Sequence, residues 1–133
     1  ELGTIKAKHK PLVILTSNRT RDLSDALKRR CLYHWVDFPD FDKELKILEK
    51  HVGGEVEILQ QLVRFVEYLR GQNLQKTPGI AETIDWARAL ITLNAMSLTP
   101  ELIDSTLGCV LKSQKDINEI RHSLTNILED ISA

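Results

Sequence analysis

PLVILTSNRTRDLSDALKRRC, residues 11–31, carries the first structural signal in the chain. An apolar run over residues 11–15 ends abruptly in Thr16, Ser17 and Asn18. Residues 12–15 are apolar throughout, the pattern of a strand buried on both faces. Ser24 is placed to cap a short helix through Ala26, Leu27 and Arg30, which closes on Lys28, Arg29 and Arg30. Residues 33–38, with Tyr33, Trp35 and Val36, favour sheet, and Pro39 stops them. Strand, helix, strand is a crossover unit, and its strands should be parallel.

Two parallel strands make no stable sheet alone, and a strand buried on both faces needs neighbours. The simplest account is that most of a doubly wound sheet lies outside this sequence, which begins at Glu1 without an initiator Met, as a cut-out or processed product would. The plainer alternative is a small mixed domain completed by residues 1–9 or by self-association.

From Phe41 onward the period is helical. Asp40 is a cap for a helix through Leu45, Leu48 and Val52, ended by Gly53 and Gly54. Val56, Leu59, Leu62, Val63, Val66 and Leu69 form a stripe at three- and four-residue spacing, closed by Gly71. After a polar loop with Pro78 and Gly79, residues 80–96 read as a third helix. Thr99 and Pro100 open a fourth that continues to Leu111, and Ser113 with Asp116 opens a last one striped by Ile117, Ile120, Leu124, Ile127 and Leu128. Residues 41–131 should form a bundle of about five helices.

The chain has 133 residues, 42% of them apolar and 28% charged, with 18 basic and 19 acidic side chains and a net charge of -1. That balance gives no global pull toward nucleic acid, and the charges read as evenly mixed, without interleaved aromatics. No apolar run approaches the ~20 residues that span a bilayer, and no signal peptide is expected. Cys31 and Cys109 lie far apart in apolar surroundings, which suits buried, reduced thiols in a cytoplasmic protein. The four histidines are scattered, so no metal site is expected. There is no GxxxxGK[ST] loop.

Asn18, at the carboxyl end of the first expected strand, stands where open α/β sheets bind ligands; a neutral amide there can orient a water. Asn is equally a turn former that bonds its own backbone. Arg29 and Arg30 suit either a solvated face or an edge that reaches a phosphate on a neighbouring subunit. Glu82 and Asp85 at the start of the third helix are explained by the helix dipole.

TSNRTRDLSDALKRRC, the expected Trp-containing strand and FPDFDKEL together resemble the second half of an AAA+ ATPase, most closely its MoxR-like branch, and TPGIAETIDWARAL resembles that branch's helical lid. The resemblance implies a mostly α chain: a lid bundle over residues 41–133, preceded over residues 1–40 by a β-α-β remnant of a doubly wound P-loop NTPase sheet. It implies that Asn18 is the sensor 1 asparagine and that Arg30, or second to it Arg29, is an arginine finger acting in trans. The usual sensor 2 arginine is replaced by Gly79, leaving Arg88 and Glu82 as candidates on the nucleotide side. The implied parent is an ATP hydrolase using ATP and Mg, a homo-oligomeric and hexameric ring. It would do remodelling, chaperone-like or metal-insertion work on a protein substrate or a von Willebrand factor A type partner. This chain alone would be inactive and bind no nucleotide tightly. The competing reading is a non-catalytic helical adaptor that binds protein partners, with the N-terminal strands as its attachment element.

Overall fold

Helix α3 explains most of the core. In the computed structural model, which describes residues 8–17 and 23–132, it spans Val56–Arg70 and buries Ile58, Leu59, Leu62, Val63, Phe65, Val66 and Leu69. Seven buried positions in four turns are more than one amphipathic stripe supplies, and the helix is covered on several sides. It packs against α2 (Phe41–His51), α4 (Ile80–Thr92) and α7 (Leu124–Ser132). Helices α5 (Pro100–Thr106), continued by a 3-10 turn over Leu107–Cys109, and α6 (Gln114–Arg121) complete the bundle.

The helix starts follow from local chemistry. The Asp40 carboxylate accepts from Lys43 N–H at 2.9 Å, and the Thr99 hydroxyl accepts from Leu102 N–H at 3.2 Å ahead of Pro100. Ser113 accepts from Asp116 N–H at 3.4 Å. Three ends fall short of expectation. Helix α5 stops at Thr106 and its 3-10 continuation at Cys109, not at Leu111. Helix α4 stops at Thr92, not Met96, because Asn94 turns the chain at φ 52°. The expected last helix is two, α6 and α7, broken at His122 and Ser123.

Buried polar groups tie the loops down. Glu44, fully buried, accepts two hydrogen bonds from Arg70, at 2.5 and 2.8 Å. Arg70 also donates to the Pro78 carbonyl at 3.0 Å and to Thr83 Oγ1 at 3.3 Å, and lies 4.3 Å over the Phe38 ring. One side chain thus fastens α2, α3, the α3–α4 loop and the start of the bundle. Asp116 accepts from the N–H groups of Gln75 and Lys76, and Trp86 Nε1 donates to Thr106 Oγ1 at 2.9 Å while its ring meets Phe65 edge-on.

The chain divides into two units, Glu1–Val36 and Asp37–Ala133. In the first, the expected β-α-β remnant of a P-loop NTPase sheet is not there: the described residues contain no β-strand. Residues 11–17 and 32–40 carry no regular structure, and α1, capped by Ser24, covers only Asp25–Lys28. The reason is physical. Strand propensity is realised only against a neighbouring strand. A four-residue helix is about 6 Å long, far too short to cover strands of ~17–20 Å in a crossover. The fold is all-α among the described residues.

Candidate interaction surface

The N-terminal unit exposes the side chains expected inside a sheet. Leu12 is 91% exposed, Ile14 80%, Leu32 104% and Val36 79%, and Val13, Leu15, Tyr33 and Trp35 are exposed as well. Scattered exposed hydrophobics are ordinary, but two contiguous runs are not. Burying six such aliphatic side chains at ~1.5–3 kcal/mol each would release on the order of 10 kcal/mol before the costs of association. Each run follows a basic cluster: Lys8, His9 and Lys10 precede residues 11–15, and Lys28, Arg29 and Arg30 precede residues 31–36.

Charge is segregated rather than evenly mixed. Residues 1–36 hold eight of the 18 basic and three of the 19 acidic residues, leaving ten basic and sixteen acidic in residues 37–133. The N-terminal unit is therefore +5 and the bundle -6, a division that the total of -1 conceals. Counting charge by segment would have found it in the sequence.

Every buried side-chain nitrogen and oxygen among the described residues has a hydrogen-bond partner. No three or more His, Cys, Asp or Glu side chains among them form a group able to hold a metal. A groove of about 290 Å³ runs between Glu57, Gln61, Arg64, Leu98, Leu128 and Ile131. Two of its polar groups are committed to structure: Arg64 donates to the Ile131 carbonyl at 3.3 Å, and Gln61 accepts from Leu98 N–H at 2.7 Å. Burial pushes the Glu67 carboxyl above its ordinary value; Glu44 adds to this and Arg70 opposes it.

The residues singled out in the sequence fall in both units, and each is described within its own. Asn18 lies outside the described residues. Arg29 and Arg30 are exposed just after α1. Glu82 accepts from Gly79 N–H at 3.0 Å, closing the first turn of α4. Arg88, exposed on the same helix, lies 3.6 Å from Asp85 and not against Glu82. The cysteines are free, but Cys31 is exposed and Cys109 half-buried, so neither is the buried thiol expected.

No protein-family model matches the chain, and no curated protein or solved structure does so either. With no sheet among the described residues and no matching family, the AAA+ and MoxR-like resemblance is overturned. The lid-domain, ATPase and hydrolase reading that rested on it falls too, and with it the remodelling, chaperone-like or metal-insertion role. No helix among the described residues is long and apolar enough to cross a membrane.

Proposed function

We propose that the chain is a non-catalytic helical protein-interaction module. The bundle is the rigid support, and the two apolar runs of the N-terminal unit are the attachment element. The observation that carries this reading is the contrast between the two units. The bundle satisfies its buried polar groups internally, while residues 12–15 and 32–36 leave apolar side chains in water. Such surface is costly unless something covers it. The basic clusters beside each run favour an acidic partner face, since opposite charge steers encounter and fixes orientation.

A photo-crosslinking residue at position 14, with one at position 88 as control, tests the reading in cell extract. A discrete protein adduct from position 14 alone is the expected result. Equal labelling from both positions, or none from position 14, would refute it.

A further inference from the structure

The bundle itself carries a surface that complements the N-terminal unit. Apart from Phe38, which lies under Arg70, its large exposed hydrophobics among the described residues are Val56, Leu93 and Met96, at 46%, 57% and 68%. They belong to one end of the bundle. Gly54 lies so close to Ile91 that a Cβ added there would stand 2.7 Å from Ile91 Cδ1, which joins the α2–α3 turn to the last turn of α4. Leu98 N–H reaches Gln61 of α3, which holds the α4–α5 loop beside the first turns of the same helix. Val56 opens α3, Leu93 ends α4 and Met96 sits in that loop. Along the chain this patch is flanked by the exposed acids Glu49, Glu55, Glu57 and Glu101, against the exposed bases Lys50 and Arg88.

We infer that a second copy of this chain occupies that patch, head to tail: the basic, apolar N-terminal run of one copy docks on the acidic-rimmed Val56–Leu93–Met96 end of the next. This deepens, and rests on, the interaction-module reading by naming the partner. The charges favour a second copy. A +5 unit and a -6 unit in one polypeptide neutralise each other between copies, whereas two N-terminal units face to face would repel. The apolar areas match in kind, each with a rim of the opposite sign, the arrangement of a specific interface core. Because the two surfaces differ, the contact is heterologous and propagates into a ring or an open chain.

Sedimentation velocity on the full chain tests this. Wild-type protein should associate between ~1 and ~100 µM, a range that covers weak specific interfaces. It should do so at least severalfold less strongly at ~500 mM than at ~10 mM salt, as screening removes the charge attraction. Leu12→Asn with Ile14→Asn removes the head, and Leu93→Lys with Met96→Lys removes the tail. All four side chains are exposed, so both variants should keep the wild-type circular dichroism. Each variant alone should be monomeric. Mixed in equal amounts they should form a dimer and nothing larger, since only one head and one tail remain.

A monomeric wild type overturns the inference, as does a tail variant that still associates or a mixture that stays monomeric. Two further readouts separate the failures. A monomer whose residues 12–15 exchange amide hydrogens freely, and whose position 14 crosslinks a different protein or which binds phosphatidylserine vesicles, sinks the head-to-tail contact. The protein crosslink leaves the module reading standing. A monomer whose residues 12–15 are protected from exchange sinks both.

Discussion

Replacing Arg70 by Met should destabilise the bundle severely, and the structure says by how much. Arg70 is 8% exposed at its side chain and Glu44 is 0%. The pair is bidentate, and Arg70 carries two further hydrogen bonds, to Pro78 O and Thr83 Oγ1. Arg70→Met keeps the apolar stem near Phe38 but leaves a fully buried carboxylate with no cation. Breaking a buried pair in this way costs ~3–5 kcal/mol. A domain of this size holds only ~5–10 kcal/mol in all, so about half its stability should go.

In a urea titration followed by helical circular dichroism and Trp86 fluorescence, the midpoint should fall by roughly 2 M, given a slope of ~1–3 kcal/mol/M. The double variant Glu44→Leu, Arg70→Met decides the cause. It removes the stranded charge as well, so it should be more stable than Arg70→Met alone, short of wild type by the ~1 kcal/mol that the unpaired Pro78 carbonyl costs. A single-variant loss below ~1 kcal/mol would refute the burial argument, because only a solvated pair is worth so little. So would a double variant as unstable as the sum of the two singles.

Two other perturbations probe the bundle independently. Gly54 has φ 102° and would bring a Cβ against Ile91, whereas Gly53 has φ 70° and open space around it. Gly54→Ala should therefore cost ~1–3 kcal/mol and Gly53→Ala ~1 kcal/mol or less, read as unequal falls in Tm; equal falls would mean that Ile91 yields freely. Glu67→Gln should stabilise the bundle above the ordinary carboxylate range and have no effect below it. The folded-state pKa is raised, so the native carboxyl favours its proton, and stability from that proton is present at low pH and lost as pH rises through the folded value. The gain should stay below ~1 kcal/mol because Glu67 faces solvent. A gain that persists at low pH would show packing, not charge, to be the cause.

How much of this was legible depends on whether the deciding interaction is local. The starts of α2, α5 and α6 were readable because Asp40, Thr99 and Ser113 bond amides only three residues away. The core face of α3 was readable from its period, although Ile58 and Phe65 lie outside the simple stripe and were missed, and Val56, counted in the stripe, is exposed. The break between α6 and α7 left no trace in the pattern, since Ile120, Leu124 and Ile127 keep helical spacing across it. Arg70 was invisible as a fastener: its partners Glu44, Pro78 and Thr83 lie 26, 8 and 13 residues away.

The misread strands show why the candidate site was hidden behind a wrong fold. An apolar run such as residues 12–15 records that its side chains need cover; it does not record what supplies the cover. Reading that need as a sheet led to Asn18 and Arg30 as a nucleotide site. Yet the same run, exposed at Leu12 and Ile14 and flanked by Lys8 and Lys10, meets the need equally well as a docking element. Segment charge adds what hydropathy lacks. A +5 unit in the same chain as a -6 bundle gives an apolar docking element opposite charge to steer it onto another molecule, which is the use proposed here.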